Sequence, residues 1–329
     1  MFVPFFISIL IFLLPSFLFS LYGTKIWIKV AEKSGLTGKD MNKENKPEIA
    51  EAGGIIVIGS FSLGLLIYVF FNIFILENEA HLLHIFALLT SILFACIIGF
   101  VDDVLGWKNG LKQWQKPLLT VPIAIPLAAI NAGVSRMNLP FIGPVEFGLL
   151  YPLLLIPVGI IGASNGFNML AGLNGLEASM GTVILSFLGF VSWYTGTYWL
   201  SIVSFAMAAS LLGFLYYNKY PSRIFPGDSL TYGIGALIAI IAILGNLEKI
   251  AAFVFLPYII ELILKAKTRF RAESFGEINE DGILISNNGE VESFTHVFMK
   301  LGLKEKNVVR SLVGVEILLC AIAYVLFVL

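Results

Sequence analysis

The chain has 329 residues, 58% of them hydrophobic and 13% charged, with a mean hydropathy of +0.89. A soluble domain carries about 25% charged residues, so this composition excludes a protein that hides its apolar surface in one water-soluble core. The formal net charge of −1 offers no basic footprint for a nucleic acid, and the two cysteines, Cys96 and Cys320, lie inside apolar runs, against a disulfide framework or a cysteine metal cluster.

The chain opens on an apolar stretch with no basic residues ahead of it and no small-residue cleavage site, which reads as a retained span rather than a signal peptide. Roughly 20 apolar residues cross a bilayer as a helix. Ten such runs are predicted: 2–24, 53–76, 84–101, 115–131, 147–164, 175–195, 198–217, 229–245, 248–266 and 309–329. The fourth, fifth and eighth are short. Each must be helical, because lipid offers no partners to free backbone groups. The expected architecture is an all-α polytopic membrane domain over 1–329, with 267–308 as a loop subdomain within it.

Nine loops join these spans. Of the 21 lysines and arginines, 19 fall in odd-numbered loops, and only Arg136 and Lys249 fall in even ones. The excess of positive charge on the cytoplasmic side then places the odd loops inside and both termini outside. Loop four, 134–147, is punctuated by Pro and Gly between alternating apolar residues. In loop nine, 267–308, Asp281-Gly282 and Asn288-Gly289 flank the apolar run 283–285. Both loops read as small β-hairpins.

Charged and amide side chains at span ends are the candidates for chemistry, since polar groups at membrane depth are costly. Asp102-Asp103 closes the third span, and adjacent carboxylates repel unless a cation compensates. Lys108, Lys112 and Lys116 follow in the same loop. Loop five carries Asn165, Asn168 and Asn174 among three glycines, and the first two share a face of a helical turn. Amide oxygens suit Mg²⁺ and amide hydrogens suit phosphate or uracil. Asp228 opens the eighth span, where an ordinary N-cap is the competing reading. Loop one holds Gly38-Lys-Asp-Met-Asn-Lys43 and then Glu51, and loop nine holds Lys265, Lys267, Arg269 and Arg271. The bland alternatives are solvated helix ends, a turn-rich linker and the charge of a cytoplasmic span end. Against them, all five clusters fall on odd loops, hence on one membrane face, and together suit metal-assisted chemistry on a phosphate.

The Asp-Asp pair and the run Asn165-Gly-Phe-Asn168-Met-Leu-Ala-Gly-Leu-Asn174-Gly-Leu-Glu177 resemble the polyprenyl-phosphate N-acetylhexosamine-1-phosphate transferases, over nearly the whole chain. The resemblance implies ten spans and transfer of a sugar-1-phosphate from a UDP-sugar to a dolichyl or other polyprenyl phosphate, with release of UMP. It implies Mg²⁺, with Mn²⁺ as a substitute, on Asn168 and Asp228. It implies catalytic roles for Asp102, Asp103 and Lys112, the lysine contacting pyrophosphate. Donor contacts fall to Lys39, Asp40, Met41, Glu51, Asn165, Asn174, Arg269 and Arg271. Phe270 between the two arginines departs from the eukaryotic pattern. The lipid I enzyme has aspartates where this chain has Ala171 and Asn174, and a histidine cluster where loop nine has only His296. That favours an N-acetylglucosamine donor over a MurNAc-pentapeptide donor, and a dolichyl-type acceptor.

The expected reaction is direct attack by the lipid phosphate on the β-phosphorus, with an aspartyl-phosphate route as the alternative. A transporter would carry its acids mid-span, and other membrane transferases need aspartates at helical spacing that are not found. The expected location is the plasma membrane of a prokaryote, of archaeal type, with the site facing the cytoplasm and a homodimer compatible with the sequence.

Overall fold

The computed structural model describes residues 9–109, 114–139, 143–286 and 289–329. The expected Lys112 and Asn288 lie outside them. Thirteen α-helices and three two-stranded hairpins run in the order α1 (Leu14–Ser34), β1 (Thr37–Lys39), β2 (Glu48–Ala50), α2 (Gly54–Phe74), α3 (Leu82–Asn109), α4 (Gln115–Leu119), α5 (Val121–Ala129), β3 (Arg136–Leu139) and β4 (Gly143–Glu146). There follow α6 (Ile156–Met169), α7 (Leu176–Tyr194), α8 (Tyr198–Asn218), α9 (Asp228–Gly245), α10 (Glu248–Val254), α11 (Leu256–Lys267), β5 (Glu277–Ile278), β6 (Leu284–Ile285), α12 (Phe294–Met299) and α13 (Glu305–Phe327). Short π-helical turns, Ile9–Leu13 and Tyr151–Leu155, precede α1 and α6.

Among the described residues eight helices are long and apolar enough to cross a membrane. The chain is thus an integral membrane protein with eight such helices, against the ten spans expected. The other two stretches are broken. Residues 115–129 divide at Thr120, with Pro122 opening α5 and Pro126 inside it. Residues 248–267 divide at Phe255, with Pro257 in the first turn of α11. Proline lacks the N–H that a continuous ladder requires, which accounts for the breaks. Two boundaries also move. The helix of the first span runs on to Ser34, and that of the third to Asn109, so Lys25, Lys29 and Lys33 and the acid pair are helical rather than in loops.

Helix α9 is the axis of the bundle. It is apolar all round beyond its first turns, most of its side chains are buried, and it packs against α3 and α6. Helices α1 and α13 turn large apolar side chains such as Phe19, Leu318 and Leu326 outward, as lipid-facing helices do. The loop-four hairpin pairs Arg136 with Glu146, and the loop-nine hairpin pairs Glu277 with Ile285 around the Asp281-Gly282 turn, both in the loops where hairpins were expected. A third hairpin, Thr37 opposite Ala50, was not foreseen in loop one. Its strands are only three residues each, too short for an alternating pattern to show.

Candidate active site

Asp102 and Asp103 stand on the last turns of α3, and Asp228 on the first turn of α9. Asp103 does not point into open space. Its Oδ1 accepts the Asp228 N–H at 2.6 Å, and its Oδ2 accepts the Ser229 N–H at 3.2 Å and the Ser229 hydroxyl at 2.8 Å. It therefore caps α9 from a neighbouring helix, satisfying donors that a helix start leaves free. The N-cap position itself, Gly227, has no side chain to do so, and its φ of 73° lies in the left-handed region. A Cβ there would run into the Asp103 carboxylate, so the glycine is what lets the acid reach the helix end.

Asp228 is thereby freed from capping. Its Oδ2 takes the Lys116 ammonium at 2.7 Å and its Oδ1 takes the Asn168 amide at 2.7 Å. Lys116 also reaches Asp102 Oδ2 at 2.9 Å, so one ammonium bridges two carboxylates carried on α3 and α9. The Tyr232 ring, one turn along from Asp228, lies beneath it with its centroid 6.0 Å from Nζ. Asn168 also bonds Thr231 at 2.9 Å. Four of the expected residues, Asp102, Asp103, Asn168 and Asp228, thus converge with Lys116.

Loop one, which carries Glu51, runs past this centre. The Phe225 N–H bonds Ala50 O, the Gly53 N–H bonds Phe225 O and the Gly54 N–H bonds Pro226 O, so loops one and seven run together past the start of α9. Burial, and next the negative charge of Asp228, hold the Glu51 carboxyl above the usual carboxylate range.

The remaining expected residues form separate groups. Asn165 bonds Thr120 Oγ1 and Ile161 O, both at 2.9 Å, and so faces the break between α4 and α5. Asn174 is buried and fully engaged: its amide reaches Asp40 at 3.1 Å, its carbonyl oxygen takes the Ser222 N–H at 2.8 Å, and its own N–H bonds Glu305 at 2.8 Å. Lys43 ties Asp40 to Glu305. Lys39 is exposed and Met41 half-buried. Arg269 and Arg271 are both exposed, on a turn where Arg269 and Phe270 take φ of 55° and 59°.

That turn hangs from a buried hub. Glu261, wholly buried on α11, accepts the Phe294 N–H at 2.6 Å, and the Ser293 hydroxyl lies 3.0 Å from both its oxygens. Lys265 and the Ser274 hydroxyl also sit on Glu261, at 3.3 and 3.1 Å, and both reach the Met169 carbonyl, at 2.8 and 3.0 Å. Met169 follows Asn168, so the base of the arginine arm is fastened to the residue next to the acid centre. Asn42 completes the fastening, bonding Gly172 O at 2.7 Å and the Gly276 N–H at 3.2 Å.

Sequence reasoning missed Lys116 as the bridging base, and Glu261, Asn42 and Glu305 as hubs. Lys116 had a signal as one of three lysines following the acid pair, and Asn42 as part of the loop-one cluster.

Beside the acid centre a cavity of about 460 Å³ runs between α6, α9, α10 and α11. Gly159, Gly162, Ala163 and Gly166 make its α6 wall, and Phe255, Ile259 and Leu262 face them. Gly166, two residues before Asn168, marks its inner end, while Tyr151 and Glu248, joined at 2.8 Å, mark the far end. The channel is apolar along its length, and its lining reaches Gly166 on the helix that carries Asn168.

Comparison with known proteins gives three kinds of match. The family described as Glycosyl transferase family 4 matches residues 85–246, a stretch that includes the acid pair, the amide turn and Asp228. A Dictyostelium discoideum UDP-N-acetylglucosamine–dolichyl-phosphate N-acetylglucosaminephosphotransferase is 29% identical over 73% of this chain and 67% of its own. A Saccharolobus solfataricus protein provisionally given the same name is 38% identical over 97% of both chains. A Clostridium perfringens phospho-N-acetylmuramoyl-pentapeptide-transferase is 29% identical over 69% of this chain and 71% of its own.

Proposed function

Because this chain belongs to glycosyl transferase family 4, we propose that it moves N-acetylglucosamine-1-phosphate from UDP-N-acetylglucosamine to a dolichyl-type polyprenyl phosphate and releases UMP. The observation that carries the reading is the meeting of Asp102, Asp228, Asn168 and Lys116, with an apolar channel along the same α6 helix that carries Asn168. A pyrophosphate needs positive charge and hard oxygen ligands, and a polyprenyl chain needs an apolar slot.

The donor set fits Mg²⁺ in a particular way. Among the described residues no group of three metal-binding side chains stands ready. Magnesium commonly binds through one or two carboxylates and completes its shell with waters and substrate phosphates. Asp228 supplies a carboxylate, and half a turn of the Asn168 amide presents its oxygen at the same place. When bound there, Mg²⁺ neutralises charge on the pyrophosphate.

The chain's own residues do the rest. Asp103 is committed to capping α9, so it holds Asp228 in register. Asp102, held by Lys116, positions the lipid phosphate or takes its proton. The acceptor oxygen forms a bond to the β-phosphorus, the bond from that phosphorus to the bridging oxygen breaks, and the electron pair leaves with UMP. Lys116 offers its ammonium to the charge that develops on the phosphoryl oxygens. Arg269 and Arg271, exposed on their turn, close on the donor, and the lipid tail lies along the α6–α11 channel. Ten passes, with α4–α5 and α10–α11 as the two broken ones, put both termini outside. The acid centre is then on the cytoplasmic side of a prokaryotic, archaeal-type plasma membrane.

The test is UMP release from purified protein given Mg²⁺, polyprenyl phosphate and either UDP-N-acetylglucosamine or UDP-MurNAc-pentapeptide. Release with the first and not the second is the expected result. Release with neither removes the transferase reading, and release with the second alone reassigns the donor. Exchange of labelled UMP into the donor without lipid would move the mechanism to the aspartyl-phosphate route.

A further inference from the structure

A second groove lies on another flank of the bundle, between α1 and the end of α8, and has a volume of about 540 Å³. The two helices touch closely at its start: Ser20 Oγ bonds Ser210 O at 2.6 Å, and a side chain at Gly213 would collide with the α1 backbone at Phe17. Beyond this crossing the side chains change character. Phe17, Leu21, Leu212 and Leu215 make an apolar floor, and Lys25, Lys219, Tyr22 and Tyr216 make the rim. From Phe17 to Lys25 the groove extends about 12 Å along the helix. One leaflet of hydrocarbon is about 15 Å deep.

The rim is positively charged. Among the described residues neither Lys25 nor Lys219 is in an ion pair, and the groove is lined by no acid. Lys219 lies over the Tyr216 ring, 5.1 Å from its centroid. Along α1 the charge continues through Lys29 and Lys33, with the single exposed acid Glu32 at its edge. Between these lysines Ile26 is 65% exposed and Val30 44% exposed. Apolar side chains alternating with ammonium groups fit the plane where acyl chains meet headgroups, with lysines reaching outward.

We infer that this groove binds an anionic phospholipid of the leaflet beside the acid centre, its phosphate between Lys25 and Lys219 and one acyl chain on the Phe17–Leu212 floor. Charge complementarity selects that occupant: a slot one leaflet deep, crowned by unpaired cations, fits a lipid whose phosphate keeps a net negative charge and not a zwitterionic one. Lysines near the surface favour anionic lipid, and two of them give a preference on the order of tenfold. The inference does not rest on the transferase reading.

The experiment exchanges the purified full chain against vesicles of equal parts phosphatidylglycerol and phosphatidylcholine and counts retained lipids by native mass spectrometry. Wild type is expected to keep phosphatidylglycerol over phosphatidylcholine roughly tenfold, and Lys46→Gln, an exposed loop-one lysine, to behave alike. Lys25→Gln with Lys219→Gln is expected to keep the two lipids equally. Leu212→Trp, which fills the floor and leaves the charges, is expected to lose the bound lipid. A thermal unfolding midpoint close to wild type shows that each variant is folded. Equal retention by wild type, an unchanged preference in the double lysine variant, or displacement of phosphatidylglycerol by an equal amount of polyprenyl phosphate would each overturn the assignment.

Discussion

The acid centre and the arginine arm sit beside one another and are built in opposite ways. In the centre, side chains from α3, α4, α6 and α9 are hydrogen-bonded to each other, and Asp228 is held by Lys116 and Asn168 within 2.7 Å of each. In the arm, Arg269 and Arg271 are exposed on a left-handed turn, and only the base is fastened, through Glu261. The difference teaches where geometry is set before substrate arrives. The acid centre is prepared in advance, as the proposed handling of phosphate requires. The arginine turn is held only at its root, so on the proposed function its grip forms when the donor arrives.

The hardest way to break this contrast is to remove charge from the prepared side. Asp228→Asn is expected to lower turnover roughly 10²-fold or more, the scale of losing one preorganised contact. Near-normal UMP release from that variant would remove Asp228 from the centre. Separating the two neighbouring aspartates is the next blow. Asp103→Ala should cost about 1–2 kcal/mol of stability, as loss of a helix cap does, and lower the thermal unfolding midpoint. Asp102→Asn should cut turnover with a midpoint close to wild type. The reverse pattern would exchange their roles.

The arm should answer differently. Arg271→Ala is expected to raise KM for the UDP-sugar about tenfold while kcat changes little, since a charge-assisted bond contributes about 1.5–3 kcal/mol. A fall in kcat at constant KM would move Arg271 to the prepared side.

The smallest effect is in the pH response of the arm's root. His296 is buried on α12, its Nδ1 accepts the Glu292 N–H at 3.3 Å, and burial holds its pKa below the ordinary imidazole range. The folded protein therefore takes up that proton less readily than the unfolded chain. The stability is present above about pH 6.5 and lost as pH falls through the folded value. His296→Phe should flatten the fall in unfolding midpoint below that pH, and an unchanged slope would acquit the histidine.

Much of this was legible in the sequence, for identifiable reasons. The eight uninterrupted spans and the one-faced placement of the acids follow from hydropathy and lysine parity, which are sums over many residues. Asp103 could not be told from Asp102 by sequence, because the distinction depends on α9 ending against α3, a contact 125 residues apart. Asn174 read as a ligand for its amide, yet its partners Asp40, Ser222 and Glu305 lie on three other segments. Its neighbour Asn168 has the same chemistry but bonds Asp228 and Thr231 in the acid centre. The broken helices escaped because a hydropathy window averages over the prolines that interrupt them.

The Lys116 bridge has a practical meaning for handling the protein. A cluster of acids usually depends on an added ion to stop it flying apart, and stripping that ion starts unfolding. Here the cluster carries a tethered cation of its own, supplied by the same chain. Extraction into chelating buffer should therefore leave the molecule standing but idle, ready to be restarted by returning the metal.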